Sequence, residues 1–336
     1  MYLMGNDPTN LSGMKVLVTG AAGFIGSRLV QRLVESGAQV SVFIRYTSRP
    51  EFGNLTFLPP EVFHQIEIIR GDLEDHAAVD KAIDNVDFVF HMGALISIPY
   101  SYVHPVETIR TNVLGTLNVL EACRQRKVKL IHTSTSEVYG SALRIPIDEG
   151  HPLQAQSPYS ASKIGADKLV ESYYRSFDVQ SVTVRPFNTY GPGQSNRAVI
   201  PTIITQALTS RQIYLGNLAA RRDFTFLDDT VEGFIKAASV SKWDGQVYNL
   251  GTGYDVTIAD VAQKIFDHLQ IQPEIIIDQE RMRPEKSEVL RLVSDNTKAR
   301  QELGWEPRVK LGEGLATTIE WVKDHLDRYI PDEYGR

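Results

Sequence analysis

Two side chains in the run Ser157-Pro158-Tyr159-Ser160-Ala161-Ser162-Lys163 have the types and spacing for proton transfer. Pro158 suits the first turn of a helix, and a separation of four residues puts Tyr159 and Lys163 on one face of it. An ammonium beside a phenol favours the phenolate, so the spacing predicts a tyrosine pKa lowered toward neutrality. Such a phenolate can take the proton of a sugar hydroxyl while a nicotinamide ring accepts the hydride from the same carbon. On its own, a Tyr and a Lys four apart mark many exposed helix surfaces. A glycine-rich loop far upstream, Gly20-Ala21-Ala22-Gly23-Phe24-Ile25-Gly26, changes the reading to nucleotide-dependent redox chemistry.

That loop follows the apolar run Lys15 to Thr19 and precedes Phe24 to Ser36, whose apolar residues recur at helical spacing. The order is strand, turn, helix. Gly20, Gly23 and Gly26 depart from the G-x-G-x-x-G spacing but meet the same requirement, close approach of backbone to a pyrophosphate at a helix N-terminus. After the second expected strand the chain reads Phe43-Ile44-Arg45-Tyr46-Thr47-Ser48-Arg49, without the carboxylate that NAD-selective sites use on the adenosine ribose. Arg45, Ser48 or Arg49 can receive a 2′-phosphate instead, which favours NADP over NAD.

The elements that must position these groups follow a regular beat. Gln39 to Ile44, Ile66 to Arg70, Phe88 to His91, Lys129 to Thr133 and Ser181 to Arg185 are further expected strands, separated by helix-length segments. Such alternation predicts an α/β fold with a doubly wound parallel Rossmann sheet. After Arg185 the beat breaks into turns at Pro186, Gly191-Pro192-Gly193 and Pro201, so a smaller C-terminal substrate lobe is expected. Its expected extent is about 188–224 plus 252–330, with helices near 257–269 and 296–325. The dinucleotide-binding domain takes 14–187 plus about 225–251, and residues 1–13 read as a flexible tail.

Composition narrows the functional classes. The chain has 336 residues, enough for two lobes, and a net charge of −6 with no Lys/Arg-rich tract, which argues against a nucleic-acid partner. No apolar segment approaches a membrane span. The single cysteine, Cys123, excludes an intrachain disulfide and favours a reducing cytoplasm, and with scattered histidines it offers no metal-ligand spacing.

Thr19 with Gly20 to Gly26 resembles the T-G-x-x-G-F-I-G signature of extended short-chain dehydrogenase/reductases, and the resemblance runs over roughly residues 14 to 325. It implies an NAD(P)-dependent sugar-nucleotide epimerase or dehydratase. Cofactor contacts are then implied at Gly20, Gly23, Phe24, Ile25, Gly26, Asp72, Leu73, Met92, Gly93, Ala94, Tyr159, Lys163 and Pro186, with Asp72 toward the adenine. Asp72 also reads as a cap for a helix beginning near Glu74.

Within the family, Thr135 is the hydroxyl that meets the sugar O4, and Thr135-Ser136-Glu137 is similar to the catalytic triplet of GDP-mannose 4,6-dehydratases. The implied cycle oxidises C4, lets Glu137 take the C5 proton as the C6 hydroxyl leaves as water, and returns hydride to C6. UDP-glucuronate decarboxylases resemble the same triplet, C4 epimerases do without the carboxylate, and a cofactor-binding sensor could keep the fold without turnover.

Arg185-Pro186-Phe187-Asn188-Thr189-Tyr190-Gly191-Pro192-Gly193, Leu215-Gly216-Asn217-Leu218 with Arg221-Arg222-Asp223-Phe224, and the tract from Arg283 to Val289 match substrate-binding segments. They imply that Asn188, Val199, Asn217, Arg222 and Arg283 hold a nucleotide-diphosphate sugar, the two arginines as a phosphate clamp. His91 to Tyr100 and the Arg283 tract also resemble dehydratases acting on GDP-N-acetylglucosamine. Family dimers form through two long helices, here Pro105 to Arg124 and Ser157 to Ser176, so a homodimer is implied.

Overall fold

The computed structural model describes residues 11–45 and 52–329. A seven-stranded sheet runs in the order Asp244–Leu250, Ser181–Pro186, Lys129–Thr133, Phe88–His91, Lys15–Thr19, Gln39–Arg45, Glu67–Gly71. Every neighbouring pair is parallel. The near-continuous burial of Lys15–Thr19 is what a parallel strand covered on both faces requires. Val16 and Val18 enter the core on one face and Leu17 the core on the other, as strand alternation dictates.

The small lobe has its own core, built around Tyr190, Ile200, Ile203, Ile204, Val261 and Ile265. A fourth cluster, with Val138, Tyr139, Phe187, Val289 and Leu292, joins residues from both halves of the chain. No helix among the described residues is long and apolar enough to cross a membrane.

Three expectations need correction. Pro105 to Arg124 is helical throughout, as expected, but not uniformly α: Pro105–Ile109 and Gly115–Arg126 flank a π-helical stretch, Arg110–Leu114. The interruption carries the buried Asn112, whose amide oxygen accepts from Leu95 N–H (2.7 Å) and whose nitrogen donates to Leu95 O (2.9 Å) and Ser162 Oγ (2.9 Å). Helix Thr297–Leu303, expected in the small lobe, packs toward the large sheet. Ala299 and Trp305 fill the large core, and the Trp305 indole donates to Asp229 O at 2.8 Å. The expected tail does not extend through residue 13, because Leu11 is buried in the same core and Gly13 N–H donates to Gly37 O at 2.9 Å.

Candidate active site

Two loops at the carboxyl edge of the sheet meet backbone to backbone. Gly20 has φ +66°, and a Cβ there would lie 2.6 Å from Gly93 N; one on Gly26 would lie 2.4 Å from Gly20 O. Thr19 fixes this approach, its Oγ1 accepting from Met92 and Gly93 N–H at 3.1 Å each. Its own proton then goes to His91 Nδ1 at 2.8 Å. Burial keeps His91 neutral, so Nε2 carries the proton and donates to Thr116 Oγ1 at 3.0 Å.

Helix Phe24–Glu35 starts from Gly23 with no side-chain cap and no acid in its first turn. Its free amides and positive dipole end suit an anion, so the cradle fits the diphosphate of a dinucleotide. Leu73 is buried between the loop and the following helix, within reach of any Cβ placed on Gly93 or Gly115. Ala94 is in the same loop as Gly93, and Pro186 ends its strand opposite Leu250. Asp72 accepts from Glu74 N–H at 3.0 Å, but the helix His76–Ala82 is capped by Asp75, so Asp72 is not its cap. Arg45 Nε lies 3.3 Å from Asp72 Oδ2, and Ser48 and Arg49 fall outside the described residues.

Helix Pro158–Phe177 opens with a reciprocal Ser157–Ser160 capping box, a device worth about 1 kcal/mol, and carries Tyr159 in its first turn. Tyr159, Lys163 and Asp167 follow at intervals of four, and all are buried. The expected lowering of the phenol is reversed here. Burial pushes Tyr159 up, opposed by the Thr135 hydroxyl and reinforced by the charges of Glu137 and Asp167. Burial lowers Lys163 to about 8, with Asp167 holding it from falling further.

Asp167 was not singled out in the sequence, although its spacing from Lys163 is the same as that of Lys163 from Tyr159. Burial alone would raise its carboxyl, but hydrogen bonds and positive charges hold it below the usual range. Its partners are His132 Nε2 (3.2 Å), Ser134 Oγ (2.7 Å) and Arg185 through Nε (3.2 Å) and Nη2 (2.8 Å). A buried charge pair of this kind is tolerable only because nearly every lone pair and proton is satisfied.

Thr135 accepts from Glu137 N–H at 3.2 Å, forming a tight turn that leaves Thr135 and Glu137 partly exposed while Ser136 is buried at 3%. Glu137 Oε2 lies 3.3 Å from Arg283 Nη1, and Arg222 Nη2 lies 3.8 Å from Glu288 Oε1. Arg222 is itself buried, which lowers its pKa, while Glu137 counteracts and Arg283 adds to the effect. Two cations and two anions thus form one cluster.

Asn188 lies beside the residue that follows Arg222. Its N–H donates to Asp223 O at 3.0 Å, and its buried side-chain oxygen has no protein partner. Asp223 in turn accepts from Thr252 N–H (2.8 Å), Thr252 Oγ1 (2.6 Å), Gly253 N–H (2.9 Å) and Ser294 N–H (3.1 Å), which anchors the strand holding Arg222. Val199 opens the small-lobe helix Val199–Thr209, and Asn217 Oδ1 accepts from Ala219 N–H at 3.0 Å. The structure therefore gathers Thr135, Glu137, Tyr159 and Lys163, and Glu137 joins them to Arg283 and Arg222. Sequence reasoning missed Asp167, Asn112 and the role of Glu288 as an arginine partner; only Asp167 left a periodic trace.

A family model described as GDP-mannose 4,6 dehydratase matches residues 17–318. A dTDP-glucose 4,6-dehydratase of Streptomyces antibioticus is 33% identical over 327 residues, covering 95% of this chain and 95% of its own. A UDP-glucose 4-epimerase of Mycolicibacterium smegmatis is 33% identical over 318 residues, 93% of this chain and 99% of its own. Among solved structures, a dTDP-glucose 4,6-dehydratase from Streptomyces venezuelae with NAD bound matches with a TM-score of 0.85 at 29% identity, over 95% of this chain and 99% of that one.

Proposed function

The chain belongs to the extended short-chain dehydrogenase/reductase family of NAD(P)-dependent sugar-nucleotide dehydratases and epimerases, and we propose that within it the protein is a nucleotide-sugar 4,6-dehydratase. The observation that carries this reading is the partly exposed Glu137 carboxylate, held next to Thr135 by the turn in which Thr135 Oγ1 accepts from Glu137 N–H at 3.2 Å. Inversion at C4 alone has no use for a second acid–base group there. Tyr159 takes the proton of the C4 hydroxyl, which Thr135 orients, and Lys163 stabilises the phenolate while its ammonium keeps its proton. When bound, a nicotinamide supplies the hydride acceptor and, later, the hydride donor. Once C4 is a carbonyl, the C5 proton is acidic, and Glu137 removes it and passes a proton to the departing C6 hydroxyl. C6 then takes back the hydride and C5 a proton, so the product is a 4-keto-6-deoxy sugar on its nucleotide.

The GDP-mannose 4,6 dehydratase match and the Gly216-Asn217-Leu218 and Arg222-Asp223 tracts favour a GDP-linked donor of the GDP-N-acetylglucosamine or GDP-mannose type. The large lobe then holds the cofactor and the small lobe the nucleotide sugar, with Asn188, Val199, Asn217, Arg222 and Arg283 on the substrate. Arg45 favours NADP, since its pairing with Asp72 is nearly half exposed and easily exchanged for a 2′-phosphate. A cytoplasmic location suits the one free, buried thiol of Cys123.

One observation favours a second reading. The Arg283 guanidinium lies 3.3 Å from the carboxylate assigned to C5, and a cation beside that group can equally pair with the C6 carboxylate of a hexuronate, as a decarboxylase needs. The deciding experiment incubates the protein with NAD+ or NADP+ and GDP-, UDP- and dTDP-sugars, including UDP-glucuronate, and follows product mass. Loss of one water from a GDP-sugar is expected. Loss of carbon dioxide would select the decarboxylase, and unchanged mass with a new stereoisomer the epimerase.

A homodimer is part of the proposal. Val103, Val106 and Leu114 are 69%, 65% and 47% exposed along the segment that includes the π-helical stretch, an apolar face suited to a second copy. Val106→Glu would bury a charge in that interface and is expected to weaken dimerisation by more than about tenfold. Light scattering after size exclusion reads this directly; a variant that elutes with the wild type's mass at every concentration would exclude this face.

A further inference from the structure

Ser287 has no part in the chemistry above, yet it stands where the two halves of the site meet. It closes the short turn Glu285–Ser287, four residues beyond Arg283, and is only 9% exposed. Its Oγ donates to the main-chain oxygen of Gln156. The phenol of Tyr102, on the helix Ile98–Val103, lies 2.5 Å from the same Oγ. A serine hydroxyl has one proton, and a carbonyl can only accept it, so Tyr102 is the donor and the relay runs Tyr102 to Ser287 to Gln156.

Gln156 is not an arbitrary anchor. Its N–H donates to Ser160 Oγ at 3.0 Å, alongside that of Ser157 at 2.9 Å, and Ser160 belongs to the capping box of the helix that carries Tyr159. At the other end of the arm, Arg283 Nη1 reaches Glu137 Oε2 at 3.3 Å. The arm from Arg283 to Ser287 is thus held at one end by an ion pair and at the other by hydroxyls, while Glu285 and Lys286 between them are exposed.

We propose that Tyr102 and Ser287 are positioning residues that latch the Arg283 arm to the opening turn of the catalytic helix, presenting the guanidinium to the anionic substrate. The assignment rests on the reading that Arg283 meets a nucleotide-diphosphate sugar. An arm left loose would have to be ordered at the moment of binding, and that entropy would be lost from substrate affinity. Arg283 serves bound substrate and transition state alike, so loosening it raises KM and leaves kcat nearly unchanged.

The test uses the full chain loaded with NADP+ or NAD+, with Ser287→Ala, Tyr102→Phe, the double variant and Ser287→Thr. Hydrogen exchange of residues 279–290 is measured first, without substrate, and Kd values for GDP, UDP and dTDP are then measured by calorimetry. Loss of one neutral hydrogen bond is expected to speed exchange in the arm and weaken the preferred nucleoside diphosphate by about fivefold each. The double variant should be little worse than Ser287→Ala, and Ser287→Thr should restore both readouts. Unchanged exchange in both single variants overturns the latch, and faster exchange with unchanged Kd and KM overturns its role in positioning. If the wild type binds no nucleoside diphosphate, the functional reading fails, whereas the exchange result still decides the latch.

Discussion

Tyr159→Phe is expected to lower turnover by about 10³-fold, the scale of a lost acid–base group, while cofactor binding measured by fluorescence titration persists. The substitution removes one oxygen from a buried ring and leaves the helix and its capping box untouched. The pH dependence follows from Lys163 behind it. Lys163 holds its proton below about 8 and loses it as pH rises through that value. The ammonium proposed to stabilise the phenolate is therefore present on the acidic side and absent on the alkaline side, so kcat/KM, which reports the enzyme without substrate, should fall above about pH 8. A Tyr159→Phe protein with half the wild-type rate, or a kcat/KM that climbs steadily to pH 10 in the wild type, would remove Tyr159 and Lys163 from the roles given to them.

Glu137→Gln is expected to separate the two halves of the reaction. Water loss should drop by about 10³-fold, because an amide cannot take the C5 proton. Oxidation at C4 does not require Glu137, so one turnover's worth of reduced nicotinamide should accumulate, visible by its near-ultraviolet absorbance. Folding should survive, since Arg283 is partly solvated and a glutamine can still accept its hydrogen bond. Full dehydration by this variant would sink the mechanism; loss of both oxidation and dehydration would place Glu137 with Tyr159 rather than after it.

Some of this site was legible in the chain because it depends on neighbours in sequence. Glycines at 20, 23 and 26 after an apolar run, and a Tyr and Lys one helical turn apart, are local patterns with local causes. The alternation of apolar runs likewise announced a parallel sheet, since strands buried on both faces must be apolar throughout. The π-helical interruption at Asn112 was not legible, because its reason is a set of hydrogen bonds to Leu95 and Ser162, 17 and 50 residues away. The direction of the Tyr159 shift is not legible for a related cause: spacing places an ammonium near a phenol but says nothing of how deeply both are buried.

By itself, then, the sequence determined the order of the sheet strands, the glycine cradle at Gly20 to Gly26 and the helical turn from Tyr159 to Lys163, each set by short-range sterics and helix or strand periodicity. Only the tertiary structure decided what those groups face. It put Arg283 on Glu137 across 146 positions and Tyr102 on Ser287 across 185. Ion pairs and hydroxyl relays of that reach form wherever packing brings two chain segments together, and no periodicity along the chain records them.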